Sequence, residues 1–184
     1  VWLFNPAGIF FGNGSVVNVG GIFAASTAQL ENLDDLINGT KTSPQLTANG
    51  DGLIEVDSGA TIGAKQIALA AKQISIAAGA KFTGATDYDG EGANVALEKV
   101  VLGVGNTVTF DNVGGGTVSL NLDDFAADND NTIDLAGEFD AAVEATAGKI
   151  TVNGVLTAKN AENVNQDVTL AIKGTEETIG LGAD

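Results

Sequence analysis

The chain has 184 residues, a net charge of −16 and 44% hydrophobic but only 5% aromatic residues, with 25 glycines, two prolines, no cysteine and no histidine. That charge excludes nucleic-acid binding, which needs a basic surface to meet phosphate, and disfavours anionic membranes. Without cysteine or histidine there are no disulfides, no thiolate or imidazole metal sites and none of the usual nucleophile–base pairs, so an enzyme is not expected.

Residues 1–27, VWLFNPAGIFFGNGSVVNVGGIFAAST, open on apolar strand-like runs broken by turns. Within Asn5-Pro6-Ala7-Gly8-Ile9, Pro6 presets φ at the second turn position and Gly8 accepts positive φ. The Asn5 side chain can bond nearby backbone, so a type I or type II turn between two strands is expected. This stretch resembles the secretion domain of the filamentous haemagglutinin family, the large exoproteins exported by two-partner secretion. That family carries Asn-Pro-Asn-Gly-Ile at this place, followed as here by Phe-Gly, a small-residue turn, a Val-rich strand and Ala25-Ser26-Thr27. Ala7 departs from the family's Asn.

The resemblance covers about the first 30 residues; beyond them the match is one of style. It implies a non-enzymatic adhesin, secreted or held at a bacterial cell surface. The chain would be a piece of a longer exoprotein. Its partners would be an outer-membrane β-barrel two-partner secretion transporter, which recognises the region of Asn5, Pro6, Ala7, Gly8 and Ile9, and a host or matrix surface ligand.

Residues 28–52 break the strand pattern. Leu30, Leu33, Leu36 and Ile37 fall at helical spacing and Asn38-Gly39 is a helix stop, so this segment reads as an excursion with a short helix. From residue 53 to 184 the apolar residues alternate with period two, at Ile54–Val56, Ile67–Leu69, Ile74–Ile76, Thr107–Phe110, Thr117–Leu122, Ile133–Leu135, Ile150–Val152 and Val168–Ile172. Val56-Asp57-Ser58-Gly59-Ala60-Thr61-Ile62 repeats as Ile76-Ala77-Ala78-Gly79-Ala80-Lys81-Phe82, 20 residues on, and Val152-Asn153-Gly154-Val155-Leu156 is a shorter third copy. A unit of this length cannot bury its own apolar side and must stack on its neighbours. The expected fold is therefore one all-β domain, a right-handed parallel β-helix. It would have roughly nine turns at ~4.8 Å each, about 40 Å in all. Asp140–Ala147 reads as a short helical turn.

Residues 84–94 and 123–131 are acidic, glycine- and asparagine-rich loops. Asp87, Asp89 and Glu91 in one, and Asp128, Asp130 and Asp134 in and after the other, alternate as oxygen ligands for Ca²⁺ do. Neither is a complete EF-hand loop. Solvated loop charge is the default reading, a weak extracellular Ca²⁺ site the alternative, and no other cofactor is implied. No apolar run reaches the ~20 residues of a membrane helix, so membrane insertion is not expected. A second functional reading is a self-assembling filament subunit, because uncapped β-helix ends expose strand edges that can dock head to tail. A third is a Ca²⁺-dependent glycan-binding or glycan-cleaving β-helix.

Overall fold

The computed structural model describes residues 1–41, 44–47, 52–105, 107–111, 119–123, 131–160, 162–172 and 178–181. In chain order the elements begin with β1 (Trp2–Phe4), β2 (Ile9–Phe11), β3 (Val16–Ser26), β4 (Gln29–Leu30), helix α1 (Leu33–Ile37), β5 (Gln45–Thr47) and β6 (Leu53–Val56). They continue with β7 (Thr61–Ala71), β8 (Gln73–Ile76), β9 (Lys81–Thr83), β10 (Lys99–Val104), β11 (Thr107–Asp111) and β12 (Ser119–Asp123). The last are β13 (Thr132–Phe139), β14 (Ala142–Ala147), β15 (Lys149–Ala158), β16 (Val168–Ile172) and β17 (Thr178–Leu181). The chain is all-β, with α1 the one helix among the described residues.

Thirteen strands form one sheet in which every pairing is parallel. Its pairings fall into three ladders. The first runs β2, β6, β8, β13, β15, β17 and sets Ile9, Ile54, Ile74, Ile133, Ile150 and Ile179 at successive positions of one column. The second joins the first halves of β3 and β7, then β9, then the second halves of β13 and β15, and aligns Val17, Ile62, Phe82, Phe139 and Ala158. The third joins β1, the second halves of β3 and β7, β10, β14 and β16, and aligns Leu3, Ala25, Leu69, Leu102, Ala145 and Leu170.

Four strands serve two ladders each, and bulges turn two of their pairings. The register of β3 on β7 shifts between Val19 and Ile22, at Gly20-Gly21. That of β13 on β15 shifts between Leu135 and Gly137, where Gly137 has φ +105°. A bulge bends its strand, which here redirects the chain from one ladder to the next.

Parallel pairing in register explains why like residues stack. Each column places a side chain directly above its counterpart at ~4.8 Å, so shapes that match fill the interior without gaps. Ile54, Ile74, Ile133 and Ile150 are buried, and Phe82 and Phe139 stack face to face with ring centroids 4.6 Å apart. Burying one such side chain contributes about 1.5–3 kcal/mol.

The 20-residue repeat is real in space. Val56 pairs with Ile76 and Ile62 with Phe82. The turns between them also stack. Ala60 N–H donates to the Asp57 carbonyl and Ala80 N–H to the Ala77 carbonyl, both at 3.1 Å. Gly59 and Gly79 take φ of +80° and +88°, which only glycine adopts without strain, and Gly59 N–H donates to the Gly79 carbonyl at 3.1 Å.

The even spacing is not general. Down the isoleucine column the separations are 45, 20, 59, 17 and 29 residues. The reason is that whole segments leave the ladders between strands. Such segments consume residues without adding a layer, so the described residues give six strands in the longest ladders instead of nine turns.

Two local expectations also change. Asp140–Ala147 is not a helical turn: Ala142–Ala147 is β14, held between β10 and β16 with alternate residues buried. The expected helix starts later, at Leu33, because Gln29–Leu30 pairs with β5. Thr117, Val118 and residues 124–130, including Asp128 and Asp130, lie outside the described residues.

A second sheet has the order β12-β11-β5-β4 and is antiparallel. It joins two separate segments, since β5 pairs with β11. Phe110 of β11 is fully buried against Ala24, Ala28, Ala68 and Ala70. The second half of β7 is therefore covered on both faces, which is why Ile67–Ala71 reads as a continuous apolar run.

Candidate functional site

The Asn5–Ile9 corner joins β1, at the start of the third ladder, to β2, at the start of the first. Gly8 N–H donates to the Asn5 carbonyl at 3.0 Å, closing a four-residue turn. Asn5 is used twice more: its Nδ2 donates to the Gly8 carbonyl at 2.8 Å and its Oδ1 accepts from Ala7 N–H at 3.2 Å. Its own N–H donates to the Ser26 carbonyl at 3.0 Å. Positive φ falls on Gly8, at +119°, and not on Ala7. Of the two expected turn types this excludes type II, which needs positive φ at the third residue. An alanine is conformationally at ease there, so the Ala7 departure does not disturb the turn.

The corner is tied to residues far along the chain. A Cβ on Gly8 would sit 3.3 Å from the Leu53 carbonyl oxygen. Thr27 Oγ1 donates to the Gly52 carbonyl at 3.2 Å, and a Cβ on Gly52 would lie 2.6 Å from Thr27 Cβ and 2.9 Å from the Pro6 oxygen. Ser26, buried, accepts from Ala28 N–H through Oγ at 3.0 Å. The chain thus leaves the ladders after Thr27 and rejoins them from Gly52 at one neck, pressed onto the Asn5–Gly8 turn. Ile9 is buried as the first member of the isoleucine column, while Phe10 beside it is 63% exposed. Ala7, Gly8, Phe10, Leu53 and Glu55 border a shallow cleft of about 310 Å³. Sequence reading found Asn5–Ile9 and Ala25–Thr27. It missed Gly52 and Leu53, for which no local motif exists, because their part depends on which residues return to the neck.

The first acidic loop behaves differently. Asp87 Oδ1 accepts from Gly92 N–H at 2.6 Å. Asp89 Oδ1 accepts from Glu91 and Ala93 N–H at 2.9 and 3.2 Å, and these amides hold its carboxyl below the ordinary value. These carboxylate oxygens organise their own loop. The loop is strapped to β3, where Asn18 Nδ2 donates to the Thr86 carbonyl at 2.7 Å and Asn18 Oδ1 accepts from Thr86 N–H at 3.1 Å. Tyr88 covers Gly20, where its ring leaves no room for a Cβ. Asp134 stands apart on β13, exposed. Among the described residues no three carboxylates converge as a metal site.

One carboxylate is shifted the other way. Asp140 lies between two clefts, one bordered by Glu138, Lys159 and Asn163 and the other by Gly84, Leu97 and Glu162, with Asn160 bordering both. Burial pushes its carboxyl up, repulsion from Glu138 adds to this and Lys81 opposes it. Lys81 and Glu138 are directly paired across β9 and β13, 3.8 Å apart.

No family model matches this chain, and no curated protein and no solved structure is significantly similar to it.

Proposed function

We propose that this chain is the secretion domain and adjoining solenoid of a haemagglutinin-like exoprotein exported by two-partner secretion, wound as a right-handed parallel β-helix. It works as a surface scaffold and adhesin, not as an enzyme. The observation that carries the reading is the corner at Asn5–Ile9. The motif residues make one turn whose donors and acceptors are internally matched, and that turn starts the isoleucine column on which later strands stack. Three parallel ladders visited in succession are what winding produces, and stacking each layer on the last would favour one-way passage out of the cell. The partner in this reading is an outer-membrane β-barrel transporter that meets the corner while the chain is still extended.

The test is export. The chain is co-expressed with the two-partner transporter of its source, and the medium is assayed for Asn5→Ala and for Ser58→Ala, a change in a repeat turn. Asn5→Ala lowers export at least tenfold while Ser58→Ala is released like the parent, and the two variants melt within a few degrees of each other. Equal release of both variants would sink the proposal.

A second reading, the self-assembling filament subunit, draws on one observation. β1 and β2 each have a strand neighbour on a single side among the described residues, and Leu3, Phe10 and Val16 are exposed along that edge. Concentration-dependent fibres that vanish in Phe10→Lys would favour it over the secretion reading.

A further inference from the structure

The helix α1 carries an apolar stripe that lies open among the described residues. None of its residues is buried; Leu33 is 52% and Ile37 71% exposed. Five residues are too few to hold a helix by backbone bonds alone, so a helix this short is normally fixed by burying its stripe. Here Leu33 and Leu36 instead form one wall of an open cavity of about 370 Å³, with Leu30, Trp2, Phe4 and Pro44 completing it. Trp2 is held edge-on to Phe110 at 5.3 Å and 5.9 Å from Phe4, so that wall is rigid. The volume suits one bulky apolar side chain.

The charge around this cavity selects what enters. Glu31, Asp34 and Asp35 are exposed on the same segment that supplies the three leucines, and the molecule as a whole carries −16. This charge disfavours an anionic or acidic partner, whereas a cationic one is drawn towards Glu31, Asp34 and Asp35 as its apolar group is buried. We propose that the cavity between β1 and α1 is a docking site for a short cationic peptide segment of a partner protein, which inserts one bulky apolar side chain against Trp2. The site is separate from the Asn5–Ile9 corner, and the proposal does not rest on the secretion reading.

Trp2 is the sole tryptophan of the chain and borders this cavity, so its emission reads the site. The purified chain is titrated with a blocked Lys-Lys-Phe-Lys-Lys peptide, with its Glu-flanked counterpart and with submicellar dodecyl maltoside, following Trp2 emission and acrylamide quenching. The Lys-flanked peptide is expected to shift emission to the blue and reduce quenching at least twofold. Its affinity falls several-fold between 50 and 300 mM salt, as screening requires (roughly 10 Å at 0.1 M). Asp34→Lys weakens binding several-fold, and Leu33→Asp, at a half-exposed position that leaves the circular dichroism and melting unchanged, abolishes it. Equal binding of the Glu-flanked peptide, or no response to either peptide, overturns the proposal. A response to the maltoside alone also overturns it, and assigns the cavity to an acyl chain. Export of the chain is unaffected by Leu33→Asp, which separates this result from the secretion test.

Discussion

β7 shows two ways of burying a strand. On one face Ile67 stacks between Phe23 and Val100, and Leu69 between Ala25 and Leu102, of neighbouring parallel strands; on the other Ala68 and Ala70 lie under Phe110 of the antiparallel sheet. The first face is built by repetition, so each layer resembles the one beneath it. The second is built once, by two segments more than fifty residues apart whose strands β5 and β11 meet. Repetition spreads stability over many equivalent contacts, whereas a cover of this kind depends on a few large side chains.

The largest expected effect comes from breaking the repeated face. Ile76→Asp places a carboxylate in a closed column beside Val56, with no partner at hand, and should cost about 4 kcal/mol or more. Chemical denaturation reads it directly, and a variant as stable as the parent would mean that Ile76 does not point inward. Phe110→Ala should cost about 3–4 kcal/mol by the usual scale for a buried aromatic. Its loss is local: hydrogen exchange should quicken in β4, β5, β11 and β12 while the isoleucine-column strands stay protected. Uniform exchange throughout would show that the two sheets unfold as one, and the contrast drawn here would fail.

Gly52→Ala is a smaller and more pointed change. The added methyl meets Thr27 Cβ and the Pro6 oxygen, so the neck must open, at about 1–3 kcal/mol by the range for overpacking. Thr27→Gly removes the Cβ and Oγ1 that the new methyl meets, so Gly52→Ala should recover part of its cost in that background. No recovery would place the strain elsewhere.

The smallest effect concerns Asp140. Its carboxyl is raised in the folded chain, so the folded state holds the proton more tightly than the unfolded state does. Stability then falls as pH rises from 3.8 through the folded value, because the charged form is the one penalised. Asp140→Asn should melt slightly higher than the parent at pH 7, and the gain should vanish below pH 3.8. A destabilised Asp140→Asn at neutral pH would mean the carboxylate has a favourable partner that outweighs its burial and the Glu138 repulsion.

Much of the repeated face was legible in the residues. Val56–Ile62 and Ile76–Phe82 announced their own register, since parallel stacking puts identical shapes in contact and positive-φ turns require Gly59 and Gly79 at the same place in each copy. β14 was misread. Its alternation over Ala142, Val143, Glu144, Ala145 and Thr146 is weak by side-chain size, and only pairing with β10 and β16 decides it. Among the described residues the longest ladders hold six strands and not nine for a related reason: one sequence does not say which residues lie in a layer and which leave it.

At the candidate site the division is similar. The sequence by itself determined the Asn5–Gly8 turn, because proline, glycine and an asparagine amide act within four residues of one another. It also determined the strand character, the aliphatic interior and the acidic surface. Only the tertiary structure decided that Thr27 and Gly52 close on that turn, that β5 finds β11, and that the stripe of α1 stays open beside Trp2. Local chemistry fixes turns and periodicity because those interactions span a few residues. The pairing of distant segments rests on shape and burial summed over many contacts, and no short stretch of sequence carries that sum.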